Sequence, residues 1–228
     1  MEEEGPEEGS SSQSVNTITE IKERGAFIGI TLSNGSSFFV FPEDFSQLKL
    51  LIGTLGTPGG ISTQEMQDKI ISAELLKKLE FLHNISLTYK KAINILSFAP
   101  TTAFLLKQKL LKKGFDNVCI TKTIERLSEK KLIDDRKFAA GWVSSRLSRN
   151  PESPFILKAT LIKKGVDREI AEDVLKDLTP DSALYIESFE KALSKQLRKT
   201  GRPIEKIKIS LLRKGYPISL LNARLKNI

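Results

Sequence analysis

A short motif of two basic residues followed by glycine occurs three times in this chain and constrains its fold more than any other feature. The three glycines lie 51 and 50 residues apart, and a leucine stands 18 residues before each of them. The glycines are Gly114, Gly165 and Gly215, and the leucines are Leu96, Leu147 and Leu197. Three matches in register indicate an internal repeat, and stacked repeats present a long surface rather than a catalytic pocket.

Each repeat is predicted to contain three helices, with the motif at the end of the second. Glycine adopts positive φ after a last helical turn, and Lys or Arg complements the negative helix end. The predicted starts of the second helices are Thr101 or Thr102, Ser153-Pro154 and Arg202-Pro203. The third helices are predicted from periodic apolar residues, which are Val118, Ile120, Ile124 and Leu127; Ile170, Val174 and Leu178; and Ile218, Leu221 and Leu225.

The first helix of the middle repeat is predicted over residues 135–149. Phe138 and Trp142 are four residues apart, which places them on one helix face, and both are expected in the core. The adjacent carboxylates Asp134 and Asp135 precede this helix, and one of them is expected to cap it. We count Asp135 among the structural residues, together with the three motif glycines.

The predicted fold is mainly α, with three tandem three-helix repeats in an elongated curved array behind a small amino-terminal module. That module contains a β-hairpin, because Asn34-Gly35 lies between two apolar β-prone runs, and a helix. Ser62 with Glu65 predicts a capping box ahead of further helix. The predicted divisions are a disordered acidic tail (1–16), the hairpin–helix module with a linker helix (17–87), and repeats at 88–133, 134–179 and 180–228.

Charge is unevenly distributed between these parts. Residues 1–87 hold 6 basic and 13 acidic side chains, a net charge of −7, whereas residues 88–228 hold 30 and 15, a net charge of +15. The repeats are therefore expected to bind polyanionic or acidic partners.

Histidine and cysteine, which are common in catalytic and zinc sites, are scarce in this chain. His83 is the single histidine and Cys119 the single cysteine, so no His or Cys pair has the spacing of a metal site. We expect a non-enzyme with no cofactor and no metal. A lone cysteine also rules out an intrachain disulfide, which suits a cytoplasmic protein, and no apolar run is long enough to predict a membrane span.

The middle repeat resembles the bacterial RecX family. The resemblance rests on Leu132-Ile133-Asp134-Asp135, Phe138-Ala139, Trp142-Val143 with Arg146, and Leu161 to Gly165. It implies a modulator of the RecA recombinase that binds RecA–DNA filaments, dampens strand exchange and ATP hydrolysis in recombination and SOS repair, and has no activity of its own. The implied partner is RecA, chiefly as a filament on DNA; weak direct DNA binding is also expected, and the protein is expected to be a monomer.

Basic residues near the repeat turns are the candidate contacts with a RecA filament or DNA. They are Lys112, Lys113, Arg146, Arg149, Lys163, Lys164, Arg198, Lys199, Arg202, Arg213 and Lys214. Cations also stabilise helix ends and keep helical domains soluble, so a purely structural role competes with contact at each position. The same basic residues are compatible with two other functions: direct DNA binding by helix-turn-helix-like units, and a scaffold for a different acidic protein.

Overall fold

The structure, a computed structural model, describes residues 16–53, 66, 69–199, 201 and 203–225. It divides into two compact units, Met1–Lys90 and Lys91–Ile228. The predicted acidic tail up to residue 15, the capping box of Ser62 and Glu65, and the candidate contact Arg202 lie outside the described residues.

The first unit contains a three-stranded antiparallel sheet in the order β1 (Ile18–Arg24), β2 (Phe27–Leu32) and β3 (Ser37–Val40). The turn predicted at Asn34-Gly35 joins β2 to β3, and Gly35 has a φ of +83°. A second hairpin, which the sequence analysis did not identify, joins β1 to β2 through Gly25 at a φ of +65°. Helix α1 (Pro42–Gly53) follows the sheet.

His83 has a structural role in the first unit. Its Nδ1 accepts a hydrogen bond from the backbone N–H of Phe39 at 2.8 Å, and its ring meets Phe38 edge-on with centroids 5.6 Å apart. Burial lowers the pKa of His83, because the low-dielectric surroundings penalise the charged ring. The neutral imidazole therefore serves as a fixed acceptor for strand β3.

Helix α2 (Ala73–Phe98) begins in the first unit, so the predicted start of the first repeat at residue 88 falls within a continuous helix. Eight further helices follow it among the described residues. They are α3 (Ala103–Leu111), α4 (Asn117–Glu129), α5 (Asp135–Arg149), α6 (Pro154–Lys163), α7 (Arg168–Leu175), α8 (Ala183–Leu197), α9 (Ile204–Leu212) and α10 (Ile218–Leu225). The motif glycines follow α3, α6 and α9, which we call the middle helices.

The core of the second unit joins buried residues from α5 to α10. Leu157, Leu161 and Phe189 are fully buried there, and the buried Tyr216 hydroxyl shares a 2.9 Å hydrogen bond with Ser188 Oγ. Burial raises the pKa of Tyr216 to about 12, so the phenol stays neutral in the core. Phe138 and Trp142 pack against this core but remain partly exposed.

Two residues predicted on apolar helix faces lie on the surface instead. Val118 is 52% exposed and Ile218 is 49% exposed. Each lies in the first turn of its helix, whereas the buried residues Ile120 and Leu221 lie further along. The periodicity was correct for both helices, but their buried faces begin one and three residues later, at Cys119 and Leu221.

The repeats are connected by a contact that the structure shows twice. The Thr102 hydroxyl accepts from Leu105 N at the start of α3 and donates to Lys164 O at the end of α6, at 2.6 Å. In the next repeat, Ser153 N at the start of α6 donates to Lys214 O at the end of α9, at 2.9 Å. We call this contact the inter-repeat joint: the amino end of one middle helix lies on the glycine turn of the next.

The joint explains why glycine is required at these turns. Gly165 and Gly215 have φ of +83° and +81°, which confirms the predicted positive φ. A Cβ atom added to Gly165 would collide with Cβ of Phe104, and one added to Gly215 would collide with Ser153 Oγ. Gly114 has the same backbone conformation, with a φ of +82°. Among the described residues, however, nothing lies within 4 Å of a Cβ atom added to Gly114.

The adjacent carboxylates Asp134 and Asp135 accept hydrogen bonds from different helices. Asp134 caps α5 by accepting from Lys137 N at 2.8 Å, whereas Asp135 accepts from Ala103 N, the first residue of α3, at 3.0 Å. Asp135 therefore reinforces the contact between the first two repeats. Burial raises the pKa of Asp135, and the Ala103 N–H opposes that rise.

Alanine substitutions at two motif glycines should separate backbone strain from joint packing. Gly114→Ala should lower the free energy of unfolding by about 1–2 kcal/mol, since only its positive φ is disfavoured. Gly165→Ala should cost about 1–3 kcal/mol more, because the new methyl group also overpacks the joint. Urea denaturation of both variants measures the difference, and equal costs would contradict the assignment of the joint.

Candidate partner-binding surface

Several of the predicted contact cations meet around the loop that joins α5 to α6. Arg146 Nη2 donates to Glu152 Oε1 at 3.2 Å. Lys214, from the end of α9, donates to Asn150 Oδ1 at 2.6 Å and to Pro151 O at 2.8 Å. We call the side chains of Arg146, Asn150, Glu152 and Lys214, together with Trp142 and Lys195, the α5 loop cluster. Its charged residues come from the second and third repeats, so the cluster spans the inter-repeat joint between α6 and α9.

The ring of Trp142 lies near two cations, Arg146 on the same helix and Lys164 at the end of α6. The guanidinium of Arg146 is 5.5 Å from the indole centroid, and Lys164 Nζ is 5.7 Å from it. Cations at such distances are attracted to the negative face of the ring. The side chain predicted as core therefore has a second role, since its ring orients two of the predicted contact residues.

The cluster carries an excess of positive charge. Burial lowers the pKa of Lys214, and the nearby cations Lys195, Arg146 and Lys199 lower it further. Glu152 opposes this effect, because a carboxylate favours the charged ammonium. Lys195 also donates to Arg149 O at 3.0 Å, which ties α8 to the end of α5.

The predicted contact residues fall into two groups according to their surroundings. Arg146 and Lys214 are partly buried and hydrogen-bonded, so they stabilise the α5 loop. Lys164 is also partly buried, near the Trp142 ring, whereas Arg149, Lys163, Arg198, Lys199 and Arg213 have exposed side chains. Lys112 and Lys113 lie on the exposed turn of the first repeat, and no contact joins them to the cluster among the described residues.

Glu152 and Asn150 were not identified from the sequence. Glu152 accepts from Arg146 and Asn150, and Asn150 accepts from Lys214. Asn150-Pro151 directly after a helix is a turn signal, and a lone carboxylate in a basic region could have indicated an ion pair. Arg146 is 6 residues from Glu152 and Lys214 is 64 residues from Asn150, so local sequence patterns do not identify these partners.

The described residues form neither a metal site nor a membrane span. No group of three or more His, Cys, Asp or Glu side chains there is arranged to hold a metal ion. None of the described helices combines the length and apolar character that crossing a membrane requires.

Comparisons with known proteins match the repeat region. The family model for the first three-helix domain of RecX matches residues 89–127, and the model for the second matches residues 134–175. The regulatory protein RecX of Chlorobium limicola is 30% identical over 125 residues, which cover 55% of this chain and 79% of that protein. The chain belongs to the RecX family. Ninety-seven curated proteins match in all.

Other RecX relatives are longer than the matched region. The RecX of Geobacillus kaustophilus is 26% identical over 156 residues, which cover 67% of this chain but only 58% of that protein. A crystal structure of a regulatory protein RecX shares the fold, with a TM-score of 0.68 and 19% identity over 94% of this chain and all of that one. RecX from Lactobacillus salivarius gives a TM-score of 0.52 with 29% identity, covering 63% of this chain and 96% of that one.

Lys214 and its counterpart in the first repeat should differ in their contribution to stability. Lys214→Met leaves Asn150 Oδ1 and Pro151 O without their donor, so it should lower the free energy of unfolding by about 1–3 kcal/mol. Lys113→Met, at the equivalent exposed position, should change it by no more than about 0.5 kcal/mol. Urea denaturation of both variants provides the comparison. A Lys214 variant as stable as the Lys113 variant would show that the α5 loop does not depend on this side chain.

Proposed function

We propose that this protein is a cytoplasmic, non-enzymatic regulator that binds RecA–DNA filaments and reduces their ATP hydrolysis and strand exchange. Membership of the RecX family supports a regulatory role. The observation that carries the finer proposal is that the same basic turn is presented three times on middle helices linked by inter-repeat joints. A ligand that itself repeats, such as a protein filament on DNA, can engage successive turns of this kind.

Charge supports the same proposal. The repeat region has a net charge of +15, and its exposed cations include Arg149, Lys163, Arg198 and Lys199. Such a surface attracts the phosphate backbone of DNA and acidic protein surfaces. Individual exposed ion pairs contribute only about 0–1 kcal/mol each, so binding would depend on several of them acting together.

Direct DNA binding without RecA is the second candidate function. The same exposed cations favour it, and helical units of this size resemble helix-turn-helix modules. Binding to bare DNA should then weaken steeply as salt rises, with a slope set by the number of phosphates contacted. A filament regulator should instead act on RecA only when RecA is assembled on DNA.

Charge reversal at the exposed cations tests the proposed function. A variant carrying Arg149→Glu, Lys163→Glu, Arg198→Glu and Lys199→Glu should lose most inhibition of RecA, because each attraction becomes a repulsion. Arg146 and Lys214 are left unchanged, since both stabilise the α5 loop. The measurement is RecA-dependent ATP hydrolysis on single-stranded DNA, titrated with each variant after circular dichroism has confirmed its helical content.

The matched control reverses four exposed cations of the first unit, namely Lys22, Arg24, Lys77 and Lys78. It changes the net charge by the same amount, so a loss of inhibition caused by total charge alone would appear in both variants. The proposed site is wrong if the repeat variant inhibits as well as the parent protein. The proposed function is wrong if the parent protein does not affect RecA.

A further inference from the structure

The end of each middle helix exposes an aliphatic residue directly before an exposed cation. The three aliphatic–basic pairs are Leu111-Lys112, Ile162-Lys163 and Leu212-Arg213. Leu111, Ile162 and Leu212 are 44%, 40% and 42% exposed, which are nearly equal values. Single exposed aliphatic residues are common on protein surfaces, but equal exposure at the same position of three repeats is a pattern.

Packing of the core does not account for these exposed side chains. The preceding residue in each helix, Leu110, Leu161 or Leu211, is fully buried and already anchors that helix. Ile162 and Leu212 also lie outside the core cluster of the second unit. The aliphatic–basic pairs therefore form an apolar and positively charged feature that the described fold leaves on its surface.

The inter-repeat joints place these features in series. The start of α3 contacts the end of α6, and the start of α6 contacts the end of α9. Middle helices of 9 and 10 residues are about 14–15 Å long at 1.5 Å per residue. Successive aliphatic–basic pairs are thus separated by the length of one short helix and its joint, which suits a partner with a regularly repeated surface.

Aliphatic side chains indicate the chemistry of that partner. Leucine and isoleucine cannot hydrogen-bond to phosphates, and they lack the π-face on which bases stack. They gain free energy when another apolar surface covers them, as in a protein interface. The neighbouring cation is complementary to a carboxylate beside that apolar surface.

We propose that the three aliphatic–basic pairs are a protein-docking surface whose occupants are successive subunits of a RecA filament. Each pair contacts an apolar patch bordered by acidic residues on one subunit. This inference rests on the proposed function and assigns different roles to two sets of residues. The aliphatic–basic pairs contact protein, whereas the exposed cations outside the pairs, Arg149, Arg198 and Lys199, provide the remaining electrostatic attraction.

The test replaces the aliphatic residues and keeps the charges. The variant Leu111→Gln, Ile162→Gln and Leu212→Gln retains good helix formers and removes only apolar surface. Its matched control is Val118→Gln, Leu184→Gln and Ile218→Gln, whose side chains are 52%, 46% and 49% exposed at positions that do not repeat. Fluorescence anisotropy of labelled protein measures binding to preassembled RecA filaments on single-stranded DNA, and separately to bare single-stranded DNA.

The first variant should bind filaments about tenfold more weakly or worse, with binding to bare DNA unchanged, and the control should match the parent protein. Parent-like binding of the first variant to filaments overturns the inference, and so does an equal loss on bare DNA. Absence of filament binding by the parent protein refutes the proposed function itself. Hydrogen exchange on the parent protein gives a test that needs no variant: filaments should protect the last turns of α3, α6 and α9, and unprotected turns overturn the inference.

Discussion

The contact between one helix start and the next glycine turn is the interaction on which the repeat region depends. At each joint, an N–H or hydroxyl from the positive end of one middle helix reaches a carbonyl at the negative end of another. The carbonyls of Lys164 and Lys214, which have no partner within their own helices, are thereby satisfied. The close approach excludes a side chain, so glycine is required by sterics as well as by its positive φ.

The joints also give one sequence motif three different environments. Lys113 lies on an exposed turn, and Lys164 lies over the ring of Trp142. Lys214 donates a hydrogen bond to Asn150 in the loop between α5 and α6. The basic residue just before glycine therefore ranges from a solvated cation to a structural one. The preceding cation, at Lys112, Lys163 and Arg213, remains exposed in all three repeats and is free to serve a common partner. Position along the array, rather than residue type, decides which lysines are available for binding.

Features set by neighbouring residues could be predicted from the sequence, whereas contacts between repeats could not. The Asn34-Gly35 turn, the helix ends at the motif glycines and the cap at Ser153 each depend on a few adjacent residues. The turn at Gly25 follows Arg24 and precedes Ala26, which is no recognised hairpin signal, and it was missed. Asp135 finds its donor 32 residues away, and Lys214 finds its acceptors 63 and 64 residues away. The propensity of a residue for a local conformation carries no information about such partners.

The inter-repeat joints connect the middle helices α3, α6 and α9 in a row. The two ends of that row are not complementary. At one end, Gly114 offers an open turn of the kind that receives a helix start in the other two repeats. At the other end, α9 begins after Pro203, which makes no side-chain capping hydrogen bond. Proline has neither the N–H that Ser153 donates nor the hydroxyl that Thr102 donates. A second copy of this chain therefore cannot extend the row through the same hydrogen bonds. The geometry that joins repeats within one molecule is interrupted at the position where it would otherwise join molecules end to end.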